Sequence, residues 1–547
     1  MAQTQAVGVD YDSEAARAAV RETVWQRLRD VALPDTRFVY DLTWFIPDFA
    51  GSEQLYARLR ELPCYAGVGP VFVTPDNCLP DIKRALISAH RPLLQTIAVA
   101  MGFHFFPPGS VADSEARFAG TLDGAQMLAK QVDLDFVRSL GRLDFVVTGA
   151  CAVDPRTGVR FGKGHGFFDL EWGILSELGV VDGDTHVVIC VHDCQVVETG
   201  LTPSSHDTAG DWILTPTRTI RVGERHPNPS GICWELVDEA RLTAIEPLRQ
   251  LNTERALDAI SATANVENPA DKQQISTTPD AQRFVREKVW TALRSVARPD
   301  SRFHWDFASF IADFEGSDIC SERLRGFASW TRSDLLFITP DNSTEAVRRA
   351  AISDRKAFLM TTYGIRRGFL ILDPEDVPAS ELAYAATLDG MDHYGRPVDL
   401  GEVAKLGHIG LLVTGGSAVS YDGLRIGKGH GYFDLEWALL SEVGSTDEST
   451  EIVDIVHDCQ VVDLEIAALE HDVRVDWIVT PTRAIKVEGP ARLPGRVRWE
   501  LIGGTEFELI PPVVDLAARR GLSVGRQPME EQQIAEARDE PGSAIHN

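Results

Sequence analysis

Thr74-Pro75-Asp76-Asn77 returns 265 residues later as Thr339-Pro340-Asp341-Asn342. The same offset carries Gly162-Lys163-Gly164-His165-Gly166 onto Gly427-Lys428-Gly429-His430-Gly431, and Val191-His192-Asp193-Cys194-Gln195 onto Val456-His457-Asp458-Cys459-Gln460. Asp211-Trp212-Ile213 likewise returns as Asp476-Trp477-Ile478. At Thr121-Leu122-Asp123-Gly124 the twin is Thr387-Leu388-Asp389-Gly390, an offset of 266 that marks a small insertion. Nothing else in the sequence limits the fold as much. A chain written twice in units of roughly 240 residues is two copies of one domain, and the unit is far too long for a solenoid repeat.

The repeat sets the expected organisation. Residues 1–12 form a polar N-terminus, 13–251 the first domain, 252–278 a linker, 279–520 the second domain, and 521–547 a tail with a short helix around Met529–Arg538. Each domain is long enough to bury a core without disulfides or metal staples. Within each, apolar residues at helical spacing (Glu14 to Val31; Ala281 to Val296) precede short apolar runs. These are Val71–Val73, Phe145–Val147 and His186–Val191, with twins Leu335–Ile338, Leu411–Val413 and Ile452–Val453. Runs of this kind separated by helical stretches such as Glu171 to Leu178 predict βαβ units, an α/β class and mostly parallel sheets. In that class ligands sit beyond the carboxyl ends of the strands.

Charge excludes some functions. With 53 Lys+Arg against 81 Asp+Glu, the formal net charge is −28, which opposes phosphate-backbone binding and docking on anionic membranes. No run of 18 apolar residues exists, and Met1 to Asp12 lacks a signal-peptide core, so a cytoplasmic location is expected. The eight cysteines form no CxxC pair and are expected as free thiols.

Against that acidic background one loop stands out in both copies. Arg160-Phe161-Gly162-Lys163-Gly164-His165-Gly166-Phe167-Phe168-Asp169 has the twin Arg425-Ile426-Gly427-Lys428-Gly429-His430-Gly431-Tyr432-Phe433-Asp434. Alternate glycines keep side chains away, so backbone N–H groups can approach a ligand, and a helix starting near Phe168 would aim its positive end at the same place. Lys163 and Lys428 add a point charge, and Arg160 and Arg425 a planar fork, both suited to phosphate oxygens. A glycine-rich turn that serves only close packing fits the same residues. The spacing is neither a Walker A nor a Rossmann fingerprint.

Arg-(Phe/Ile)-Gly-Lys-Gly-His-Gly-(Phe/Tyr)-Phe-Asp resembles the signature of the 5-formyltetrahydrofolate cyclo-ligase (methenyltetrahydrofolate synthetase) family. The strands that precede it, Val146-Val147-Thr148-Gly149-Ala150 and Leu412-Val413-Thr414-Gly415-Gly416, resemble that family too. His457 to Val462 and His471 to Arg483 look closest to its methenyltetrahydrofolate synthetase domain-containing branch. The resemblance implies two tandem α/β sandwich domains of the NagB/RpiA/CoA-transferase-like type. It also implies Mg-ATP on the glycine loop, a folate or other small heterocycle beside it, and ring closure after phosphoryl activation of the formyl oxygen, chemistry that needs charge stabilisation and positioning. On this basis Arg286, Arg425, Gly427, Lys428, Gly429, Gly431 and Tyr432 would hold the nucleotide, with Arg160, Gly162, Lys163, Gly164 and Gly166 as their first-domain counterparts. Asp434 and Asp169 would face Mg²⁺. His430, by its place inside the loop where the signature allows any residue, and His457, by its place after a strand, join Lys428 and Asp434 as the candidate catalytic set.

The chain also departs from that pattern. Leu170 and Leu435 stand where the signature has Arg, and Glu171 and Glu436 follow them. A basic pair spaced by four is Arg17 and Arg21 in the first domain but Gln282 and Arg286 in the second. A Pro-Arg-x-Arg block is reduced to Gly364-Ile365-Arg366-Arg367, and to Ala98-Val99-Ala100-Met101 in the first domain. The second domain is therefore expected to hold the better site.

Other pairs admit two readings. His192-Asp193 and His457-Asp458 follow a strand and suit acid/base work or a capped loop. Gln195 and Gln460 suit a pterin-like edge or a backbone partner. Phe38 and Tyr40 beside Asp41, and Phe303 and Trp305 beside Asp306, suit a ring-binding cleft or core packing, the latter preferred. Thr-Pro-Asp-Asn reads first as a strand-ending turn. Cys194 and Cys459 are the only cysteines shared by both copies, and no nucleophile motif surrounds them. Three functions stay open: the cyclo-ligase, a hydrolase or cyclase on a small heterocycle, and a non-catalytic folate- or nucleotide-binding protein. Duplicated fusions often replace a symmetric homodimer, so an intramolecular pseudo-dimer is one arrangement the duplication allows.

Overall fold

The computed structural model describes residues 11–200, 203–260, 279–463, 472–488 and 495–522. The expected linker beyond residue 260, the helix around Met529–Arg538, the tail beyond residue 522 and His471 lie outside the described residues. Helix α1 (Tyr11–Leu28) begins inside the stretch read as a polar terminus, and the helix Glu246–Ile260 crosses Asn252, where the linker was expected to start.

Two compact units emerge. The first comprises 1–275 with 299–306 and 377–389, the second 276–298, 307–376 and 390–547. Two short segments of the second sequence copy are thus counted with the first unit.

The first unit is built on an eight-stranded sheet. Its strands are β1 (Val71–Val73), β2 (Leu93–Thr96), β3 (Phe103–Phe106), β4 (Lys130–Val132), β5 (Phe145–Gly149), β6 (His186–Cys190), β7 (Trp212–Leu214) and β8 (Thr219–Arg221). Their order is β8-β7-β6-β5-β1-β2-β3-β4. The five strands from β7 to β2 are parallel, and the edges β8, β3 and β4 pair antiparallel.

The second unit repeats this with β9 (Leu335–Ile338), β10 (Ala357–Thr361), β11 (Phe369–Leu372), β12 (Arg396–Val398), β13 (Leu411–Gly415), β14 (Glu451–Ile455), β15 (Trp477–Val479) and β16 (Ala484–Lys486). Their order is β12-β11-β10-β9-β13-β14-β15-β16, again parallel at the centre and antiparallel at the edges. Central parallel strands are covered on both faces, which is why β1, β5, β9 and β13 read as continuous apolar runs rather than alternating ones. The carboxyl end of β5 leads, through a short hairpin, into the glycine loop and helix α2 (Phe167–Glu177). In the second unit β13 leads to α4 (Tyr432–Glu442) in the same way, and α3 (Pro279–Leu293) is the counterpart of α1.

Candidate functional site

In the second unit the short strand Arg425–Ile426 runs into Gly427–Gly431, and α4 starts at once. Gly431 caps that helix at φ 75°, and Gly429 sits at φ 107°, a conformation that excludes ordinary side chains. A Cβ on Gly429 would come within 3.3 Å of Arg286 Nη2. Arg286, on α3, lies across the loop, and its Nε donates to Gly427 O at 2.8 Å. Burial pulls its pKa below the usual arginine range. The bare loop therefore lets one guanidinium approach where any larger residue would stop it.

Beneath the loop is a cavity of about 150 Å³. Gly427 to Gly431 form one wall, with Arg286, Arg425 and Lys428 as cations. Thr339, Asp341, Tyr363, Tyr432, Asp434, Glu436 and Asp472 complete the polar lining. Lys428 Nζ donates to Ser309 O at 3.2 Å and to Tyr363 Oη at 3.0 Å, and lies 4.5 Å from the centre of the Tyr363 ring. A carbonyl and an aromatic face both attract an ammonium, and together they fix the position of this one at the cavity wall.

The expected residues separate into those the cavity uses and those it does not. Gly427, Lys428, Gly429, His430, Gly431, Tyr432, Asp434, Arg286 and Arg425 all line it. Arg425 plays a different part from a free phosphate fork: Nε donates to Gly415 O at 2.9 Å, Nη2 bonds the same carbonyl, and the guanidinium stacks on Phe433 at 4.7 Å. It braces the end of β13 and leaves Nη1 facing Gly427. Asp434 Oδ1 accepts from Val473 N at 2.9 Å. Burial, reinforced by Lys428, lowers the pKa of the exposed His430.

His457 lies outside the cavity lining. Its Nδ1 accepts from Cys459 N at 3.2 Å, and its ring packs edge-on against Phe314 at 5.7 Å, so it caps a turn. Gln460 is spent on backbone: Oε1 accepts from His457 N at 2.7 Å, and Nε2 donates to Gly416 O at 2.8 Å. Gln195 bonds His192 N and Ala150 O in the same way. Phe38 stacks on Trp44 at 5.8 Å and packs with the core near α1.

Some site residues escaped the sequence. Tyr363 carried no motif. Thr339-Pro340-Asp341, read as a turn, forms a cavity wall; the turn's return in both copies was the only signal. Glu436 was noticed as a departure and turns out to be the cavity's buried carboxyl. Burial raises its pKa to about 8, although Thr361 Oγ1 donates to it.

The first unit folds the same loop. Gly164 is at φ 105° and Gly166 at φ 65°, and Arg160 bonds Gly149 O through Nε and Nη2 at 3.0 and 2.8 Å. Lys163 Nζ donates to Trp44 O at 2.8 Å, and burial lowers its pKa. Asp169 Oδ1 accepts from Thr208 N at 2.9 Å. Arg21 lies against Gly164, while Arg17 makes a two-pronged pair with Asp207 at 2.9 and 2.7 Å. All eight cysteines are free. Among the described residues no cluster of three or more His, Cys, Asp or Glu is arranged for a metal, and no helix is long and apolar enough to cross a membrane.

The chain is similar in sequence to several known proteins. The human methenyltetrahydrofolate synthase domain-containing protein is 34% identical over 242 residues, 44% of this chain and 62% of the relative. The mouse protein of that name is 31% identical over 266 residues, 48% of this chain and 68% of the relative. The chain thus spans somewhat under two thirds of the length of the human relative. Among solved structures, the NMR structure of Aquifex aeolicus 5,10-methenyltetrahydrofolate synthetase matches at 16% identity and a TM-score of 0.25, over 39% of this chain and 95% of that one. The model of the 5-formyltetrahydrofolate cyclo-ligase family matches residues 111–216 and 279–481, more than half of the chain and both glycine loops. With the loop, its helix and its cavity in the matched regions, the chain belongs to the 5-formyltetrahydrofolate cyclo-ligase family.

Proposed function

We propose that the second unit catalyses ATP-dependent cyclisation of 5-formyltetrahydrofolate, or of a related N-acylated heterocycle. The supporting observation is the cavity itself: a space of about 150 Å³, walled by five loop residues at a helix N-terminus and flanked by Arg286 and Lys428. It is sized for a phosphoryl group and supplies backbone donors, two cations and a favourable dipole. In the reaction the γ-phosphoryl group passes to the formyl oxygen. The neighbouring N10 amine then attacks the activated carbon and gives up its proton as phosphate leaves, and 5,10-methenyltetrahydrofolate, ADP and phosphate result.

The chain's part is positioning and charge. Lys428 and Arg286 would neutralise charge on the transferring group, and the glycine N–H groups would hold its oxygens without rearranging. Tyr363 and Tyr432 would fix the lysine between them. The donor set suits magnesium bound through one or two carboxylates and the phosphates, with Asp434 and Asp472 as the lining residues that would hold it. The ion would supply charge neutralisation. Asp169 has the equivalent place in the first unit. His457, capping its turn, has no assigned step.

The test is direct. Purified chain mixed with Mg²⁺, ATP and 5-formyltetrahydrofolate is expected to produce methenyl absorbance and equimolar ADP. Binding of ATP with neither product would leave a nucleotide-binding protein and overturn the cyclisation.

A further inference from the structure

A carboxylate stands at the rim of the second unit's cationic cavity. Tyr432 lines the cavity, and its hydroxyl donates to Glu506 Oε1 at 2.8 Å. Phe507 meets the same tyrosine ring edge-on at 5.4 Å, which fixes the segment that carries Glu506. Glu506 is exposed, so its charge is not needed for packing. An ionised glutamate can only accept hydrogen bonds. Beside an anion site it repels any bare anion, yet it favours a ligand that brings an O–H or N–H to that point.

The first unit reverses this arrangement. At the position 265 residues earlier stands Arg241, whose Nη2 donates to His165 O at 3.2 Å on the loop itself. Tyr432 is matched by Phe167, which has no hydroxyl to offer. One rim therefore presents an acceptor and the other a donor, over loops of the same conformation.

We propose that Glu506 is a specificity-determining residue: it accepts a hydrogen bond from a hydroxyl or amino group on the body of a ligand whose anionic end fills the second unit's glycine-loop cavity, that donor replacing the Tyr432 hydroxyl. The site then selects a phosphorylated ligand of nucleoside type over bare polyphosphate. Arg241 removes this preference from the first unit. The inference rests on the reading of the cavity as an anion site.

Calorimetric titration of the full chain with ATP and with tripolyphosphate, both with Mg²⁺, tests it. The wild type is expected to bind ATP about tenfold or more tightly than tripolyphosphate. Glu506→Ala should weaken ATP about tenfold while tripolyphosphate binds unchanged or tighter, so the preference collapses. Glu506→Gln, which keeps an acceptor oxygen and drops the charge, should retain most of the preference. Tyr432→Phe, which frees the carboxylate, should tighten ATP about threefold and leave tripolyphosphate unchanged, so the preference grows. If Glu506→Ala shifts both ligands by the same factor, Glu506 acts only through charge and the assignment fails while the anion site stands. If neither ligand binds the wild type, the cavity is not an anion site and both ideas fall.

Discussion

The two glycine loops share a backbone and differ at the rim. Both have a glycine near φ 105°, a glycine cap, an arginine bonded to the last carbonyl of the central strand, and a lysine tied to the carbonyl of residue 44 or 309. Both also carry a buried glutamate bonded to a threonine at a strand end. Around this common frame Trp44 is replaced by Ser309, Phe167 by Tyr432 and Arg241 by Glu506. Recurrence in both copies thus marks what the strand–loop–helix turn needs mechanically. Arg160 and Arg425 belong to that frame, although as sequence they look like ligand groups. What tells one ligand from another lies where the copies diverge.

The largest expected effect tests the deepest divergence. Asp454 is fully buried on β14, both its oxygens lack a hydrogen-bond partner, and its counterpart is Ile189. Gly416 makes room for it, since a Cβ there would lie 2.8 Å from Asp454 Oδ2; the first unit has Ala150. Burial, opposed by Arg425 and aided by Asp341, raises its pKa to about 7. A carboxyl with a raised folded pKa binds its proton more tightly in the native state. The second unit should therefore lose stability as pH climbs from about 4 through about 7, and stay weakened above. Asp454→Ile combined with Gly416→Ala should add about 3 kcal/mol at pH 9 and little at pH 4, read from thermal unfolding at both. A gain independent of pH would show that packing, not ionisation, separates the units here.

Next in size is the lysine pair. Lys428→Ala should weaken ATP about 100-fold, whereas Lys163→Ala should change it less than about threefold, as calorimetry would record. Equal losses would make the sites equivalent and erase the comparison. The conformationally demanding glycines come third. Gly429→Ala places a Cβ 3.3 Å from Arg286 at φ 107°, and should cost about 1–3 kcal/mol of stability and about tenfold in ATP affinity. Gly164→Ala, at φ 105°, should cost similar stability and leave affinity untouched.

How much of this was legible depends on the range of the interaction. The strands Val71–Val73 and Leu335–Ile338 are found as read, because continuous apolar runs report burial on both faces. The loop and its helix start within a residue of the expected place, because glycine constrains the backbone locally. The antiparallel strands Phe103–Phe106 and Arg396–Val398 were missed, since their pairing depends on partners elsewhere in the sheet. The capped turn at His457 and the backbone partner of Gln460 were among the readings the sequence offered, because the bonds that decide them, to Cys459 N and from His457 N, are local. The bracing role of Arg425 was not, since it ends on Gly415 O, a backbone atom brought near by folding. Tyr363 and Glu506 reach the site from 65 residues before and 78 residues after Lys428. Only the fold could bring them there.

The smallest effect probes one oxygen atom. Tyr432 and Phe167 start equivalent helices, stand by equivalent histidines at ring distances of 5.6 Å, and differ by a hydroxyl. In the second unit that hydroxyl occupies Glu506, and burial, with that pairing, raises the tyrosine's pKa. Tyr432→Phe loses one hydrogen bond between an exposed carboxylate and a phenol, worth about 0.5–1.5 kcal/mol at most. Removing it from the empty state also removes a competitor for the ligand's donor. Binding should therefore tighten by about threefold, with folding stability lowered by under about 1 kcal/mol. Phe167→Tyr adds a hydroxyl with no carboxylate to meet, because Arg241, already bonded to His165 O, stands at the position of Glu506, so neither binding nor stability should move. A gain of ATP affinity in Phe167→Tyr would mean that the tyrosine itself touches the ligand, and that the rims differ by that contact rather than by the charge behind it.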